Sequence, residues 1–143
     1  MADEILERLG SDPEVTVVVS TGTEYWRAGA ITLRVHGTGA VEVEHRRSGE
    51  HTDYSGTLDR GELAELGDVL ARNGFATLTP DRTTSLPDEH AVTLELRRGD
   101  EVLLREQLPQ GDERLEPILA EHRRVVEDVT DSALPYGKAA APR

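Results

Sequence analysis

The 143 residues contain no cysteine, which excludes disulfide frameworks, thiol nucleophiles and cysteine-ligated zinc together. The chain must therefore fold on a hydrophobic core alone, and the missing thiols fit a reducing compartment, so the expected location is the cytoplasm. Positive charge is also short: 16 lysines and arginines face 28 aspartates and glutamates, for a net charge of -12. Such a surface repels phosphate backbones, and no local cluster of basic and aromatic residues offsets it, so nucleic acid is excluded as a direct partner. The acidity favours solubility and steering toward a basic protein surface. No apolar run approaches the roughly 18 residues of a membrane span, and the opening MADEILERLG lacks the basic-then-apolar order of a secretory signal. Neither a membrane partner nor processing is expected.

What is present reads as one α+β domain. A chain of this length buries about two thirds of its unfolded surface without help from a metal. Residues 1–12 carry a short helix, with Ile5, Leu6 and Leu9 on one face and Gly10 as a left-handed stop. The β-branched run VTVVVS from Val15 reads as a strand central in its sheet, and a second extended stretch runs from Tyr25 to Val35 with a bulge or close backbone approach at Gly29. Asp59 and Glu62 form a capping box that starts a helix with Leu63, Leu66, Val69 and Leu70 as its buried stripe. Asn73, Gly74 and Phe75 close it. A hairpin with a three-residue turn centred on Gly99 is expected to pair Leu96 with Val102 and Leu94 with Leu104. A last helix over 113–129 carries Leu115, Ile118, Leu119, His122, Val125, Val126 and Val129 on one face. Residues 13–130 thus form a mainly antiparallel sheet of about five to six strands with the two longer helices on one face, and residues 131–143 are expected to be a disordered tail.

Histidines concentrate in HGTGAVEVEHRRSGEHTDY, where His36, His45 and His51 sit among carboxylates. Register decides whether they share a metal. A three-residue loop from Gly37 to Gly39 brings Val35 opposite Val41 and Leu33 opposite Val43, keeping the apolar residues on one face. Ser48 and Gly49 then close a second hairpin that pairs Val43 with Tyr54, His45 with Thr52 and Arg46 with His51. His45 falls on the apolar face, while His36 and His51 lie on the other face about 15 to 20 Å apart. No common zinc can join them, because its bonds to histidine nitrogen are ~2.0 to 2.1 Å long. No metal ligand, no cofactor and no catalytic residue is therefore expected. Ser48, His51 and Asp53 do not make a triad either, since strand alternation sets His51 and Asp53 side by side and nothing supplies an oxyanion hole. Arg98, Gly99 and Asp100 spell the integrin-binding tripeptide, but hairpin tips favour glycine and polar residues for their own reasons.

Candidate binding residues follow from scarcity. With one tryptophan, one phenylalanine and three tyrosines in the chain, the adjacent Tyr25 and Trp26, followed by Arg27, gather the residue types that dominate binding hot spots. Two neighbours on a strand point to opposite faces, so one ring is expected to face away from the core unless a second layer covers it. The irregular stretch TPDRTTSLPDEH over 79–90 is long for a connection in a compact domain and adds Arg82 and Thr83 to the candidate surface.

The order of VTVVVSTGTEYW, LDRGELAELGDVLARNGFATL and HAVTLELRRGDEVLLREQL, spread over residues 15–130, resembles the small bacterial emfourin-like domains, some of which inhibit thermolysin-type metalloproteases. That resemblance implies a non-catalytic binding or inhibitory module whose partner is another protein. The alternative is a small hydrolase or isomerase whose histidine and carboxylate site is assembled only by the fold.

Overall fold

The computed structural model describes residues 2–22, 29–77, 92–108 and 113–130. In chain order these residues form α1 (Ala2–Glu7), β1 (Val15–Thr21), β2 (Ala30–His36), β3 (Ala40–Arg47), β4 (Glu50–Thr57), α2 (Arg60–Arg72), β5 (Val92–Arg98), β6 (Glu101–Leu108) and, after a 3-10 turn at Glu113–Leu115, α3 (Glu116–Val129). The strands make one six-stranded sheet in the order β4-β3-β2-β1-β5-β6, antiparallel at every step. The architecture is the expected α+β fold.

Alternation divides the sheet into two unlike faces. Val17, Val19, Ile31, Leu33, Val35, Val41, Val43, Leu94 and Leu96 share one face and are 4% exposed or less, joined in one core to Leu6, Leu63, Leu66, Leu70, Ile118, Val125 and Val126 from the helices and to Leu9 and Phe75 from the turns that follow α1 and α2. Thr16, Ser20, Thr32, Arg34, Glu42, Glu44, Arg97 and their neighbours share the other face. Val18 is buried outside that core, on the polar face, so β1 loses solvent on both sides as its unbroken β-branched run anticipates.

The first two hairpins have the expected register: Val35 pairs with Val41, Leu33 with Val43, Val43 with Tyr54 and Arg46 with His51. Ser48 at φ 48° and Gly49 at φ 86° supply the two left-handed residues that a tight two-residue turn requires. Asp59 and Glu62 close the capping box at the start of α2. At its end Phe75 N–H donates to the Leu70 carbonyl across a left-handed Gly74, and the Phe75 ring is fully buried. Val69 lies at the margin of the buried stripe, half-exposed.

Two expectations are corrected. The third hairpin turns in two residues, not three: Arg98 pairs with Glu101, Leu96 with Leu104 and Leu94 with Glu106, and Leu103 is left over as a bulge. Val102, Leu103 and Leu104 are consecutive, so alternation cannot place all three inside. A two-residue connection with Gly99 at positive φ matches strand twist, and the bulge restores the phase for Leu104. Val102 consequently stands opposite Arg97 on the polar face, 45% exposed. The second correction concerns α1, which ends at Glu7; Gly10 is absent from the left-handed residues. Gly10 serves close packing instead, because a β-carbon there would lie 2.8 Å from the Arg60 carbonyl of α2. Gly29 does mark a close approach, its β-carbon position falling 2.3 Å from the Arg46 carbonyl.

Candidate functional site

The polar face of the sheet gathers the exposed titratable residues that register can bring together. Glu44 stands directly opposite Thr32 on one side and Asp53 on the other, and His51, two residues before Asp53, shares its face. Glu44 is the hub. Arg46 Nε lies 2.8 Å from its Oε1, while His51 Nε2 and Arg34 Nη1 lie 3.6 and 3.8 Å from its Oε2. His51 Nε2 is also 3.0 Å from Asp53 Oδ1. The Glu44 side chain is 18% exposed against 48% for His51 and 70% for Asp53, so the hub is partly desolvated and its partners reach it from the solvent side. Isolated exposed pairs contribute about 0 to 1 kcal/mol, but several partners on one carboxylate fix its orientation.

At the other end of β3, His36 Nε2 lies 2.5 Å from Glu42 Oε1, and His36 Nδ1 shares a hydrogen bond of 3.1 Å with Thr16 Oγ1. His45 falls on the core side opposite Ile31. The three histidines are thus dispersed as their register requires. Chemically, the Glu44, His51 and Asp53 group offers one imidazole nitrogen and two carboxylates whose ligand atoms all lie within 4.8 Å of one another.

Among the described residues, three titratable groups, His122, Asp12 and its partner Arg98, have clearly displaced protonation equilibria for reasons internal to the fold. His122 on α3 is 1% exposed, and burial pushes its pKa down to about 4 against the opposing effect of hydrogen bonds with the backbone of Ile31 and Val19. Asp12 is held below the usual carboxylate range first by the Glu14 N–H that it accepts at 3.0 Å and then by Arg98, whose Nε donates to it at 3.0 Å. Arg98 also reaches Glu14 at 3.3 Å, and Gly99 N–H donates to the Glu14 carbonyl. The arginine of the adhesion-like tripeptide is therefore clamped to the turn before β1, where it ties the third hairpin to the start of the sheet.

The candidate residues taken from the sequence, Tyr25, Trp26, Arg27, Arg82 and Thr83, lie outside the described residues, as do the irregular stretch over 79–90 and the tail over 131–143. The group around Glu44 was not singled out by sequence reasoning, although the signal was present. The register that pairs Val43 with Tyr54 also pairs Glu44 with Asp53, and alternation then adds His51. Among the described residues, no helix is long and apolar enough to cross a membrane. No protein-family model matches the chain, and no curated protein matches it.

Proposed function

We propose that this chain is a non-catalytic module that binds another protein in the cytoplasm and restrains its activity. The observation that supports this reading is the origin of its displaced protonation equilibria. An enzyme tunes an acid or base where substrate can reach it, whereas His122 is displaced by burial in the core and Asp12 by a turn hydrogen bond and a hairpin clamp. Both serve the fold. The resemblance to emfourin-like domains points in the same direction, toward inhibition of a partner. Tyr25, Trp26 and Arg27, with Arg82 and Thr83, supply the anchors, and the rigid sheet is their scaffold.

A second reading, a small hydrolase or isomerase, is favoured by one observation: Glu44, His51 and Asp53 put an imidazole beside two carboxylates on the polar face. One experiment separates the two. The immobilised 143-residue chain is used to capture proteins from an extract of its host, and the captured protein is purified and titrated back by calorimetry. A saturable complex of fixed stoichiometry supports the module. No such complex, together with turnover of a model ester or isomerisable substrate that disappears in His51→Ala, would replace it with the enzyme.

A further inference from the structure

We propose that Glu44, His51 and Asp53 form a divalent-cation site, of zinc-like preference, on the polar face of the hairpin of β3 and β4. The donor set is one imidazole nitrogen and two carboxylate oxygens, a nitrogen and oxygen combination that suits zinc and its first-row neighbours better than magnesium or calcium, which favour oxygen throughout. Four ligands at ~2.0 to 2.1 Å around a tetrahedral zinc stand roughly 3.3 Å from one another. His51 Nε2 lies 3.0 Å from Asp53 Oδ1 and 3.6 Å from Glu44 Oε2, on either side of that spacing, and no pair of the three ligand atoms exceeds 4.8 Å. Small rotations about the side-chain torsions bring the three onto one ion, with the fourth position left to water.

Backbone geometry makes the arrangement repeatable. His51 and Asp53 are two apart on β4 and so project to the same side, and Glu44 is the residue opposite Asp53 on β3. The hairpin that carries them is fixed by the two left-handed residues Ser48 and Gly49. Arg46 holds Glu44 at Oε1, which leaves Oε2 on the His51 side and orients the carboxylate as an outer hydrogen-bond partner does for a metal ligand. Two carboxylates and a neutral imidazole offset the charge of a divalent ion, while Arg34 Nη1, 3.8 Å from the same Glu44 Oε2, competes with the ion for that oxygen and lowers the affinity.

The test is calorimetric titration of the full chain with zinc chloride, beside His51→Ala, Asp53→Asn and the control His36→Ala, with far-UV circular dichroism to establish that each variant is folded. His51 and Asp53 are 48% and 70% exposed, so either substitution spares the core. The expected result is one zinc per chain, weakened tenfold or more by His51→Ala and by Asp53→Asn and unchanged in His36→Ala. Absence of saturable binding, or binding that survives both substitutions, would overturn the site. So would an equal loss in His36→Ala, because His36 belongs to a separate pair with Glu42 at the other end of the strand.

Discussion

At Gly74 the chain leaves α2 with φ at 78°, and a β-carbon built there would lie 3.3 Å from Thr77 Oγ1. The tight contact could be relieved by a χ1 rotation of Thr77; the dihedral could not, because a β-branched residue is strongly disfavoured in the left-handed region. Gly74→Val is therefore expected to destabilise the fold by more than ~1 kcal/mol, read from urea unfolding, since the residue also positions Phe75 in the core. An unchanged midpoint would show that the helix end tolerates another conformation. His122 makes a different residue-scale prediction. Its folded pKa of about 4 lies below the ordinary 6.5, so the unfolded chain binds the extra proton between these values. The neutral ring thus contributes stability that is complete above about pH 6.5 and is lost as pH falls toward 4, on the order of 3 kcal/mol over the window. Asp12, with a lowered pKa, adds its own loss further down, below its ordinary 3.8. Urea unfolding of wild type and His122→Leu between pH 7 and 4 should give a steeper decline for the wild type; parallel declines would mean that His122 does not titrate in this range.

At the scale of elements, the hairpins separate what periodicity decides from what it leaves open. Where apolar and polar residues alternate strictly, as from Ile31 to Val35 and from Val41 to Val43, one register alone keeps the apolar set together, and the sheet adopts it. Where three apolar residues follow one another, as in Val102, Leu103 and Leu104, alternation supports two registers, and turn geometry with a bulge chooses between them. The end of α1 departs from its sequence expectation for a related reason. Glycine after an apolar stripe signals a left-handed cap, but the same residue is needed where backbones pack closely, and Gly10, past the end of α1, and Gly67 of α2 both lie where the N-terminal segment meets α2. The corrected hairpin register can be tested by a pair of substitutions. Val102→Thr, at a 45% exposed position, should change stability by less than ~0.5 kcal/mol, whereas Leu96→Ala, at a fully buried one, should cost about 2 to 5 kcal/mol. Comparable losses at both positions would return Val102 to the core.

At the scale of the whole molecule, charge and architecture assign different tasks to different regions. In the proposed binding module, a net charge of -12 would act over several ångströms to speed encounter with a basic partner and make the association rate sensitive to salt. Holding the partner depends on buried anchors, for which Tyr25, Trp26 and Arg27 are proposed. These were legible only through composition, because rarity marks the aromatics while periodicity does not assign their faces. The Glu44 group, by contrast, is written in the register of β3 and β4 but needs the sheet's three-dimensional spacing to become a site. The two contributions can be separated kinetically on whichever partner the chain captures. Raising ionic strength should slow association and leave dissociation nearly constant, while Trp26→Ala should speed dissociation and weaken binding by about 2 kcal/mol, roughly thirtyfold. The same substitution should cost the fold less than the ~3 to 5 kcal/mol of a deleted core aromatic. A folded Trp26→Ala variant with native dissociation kinetics would remove the tryptophan from the interface and move the search to the polar face around Arg34 and Glu44; a variant that loses the full core penalty would assign the ring to packing instead.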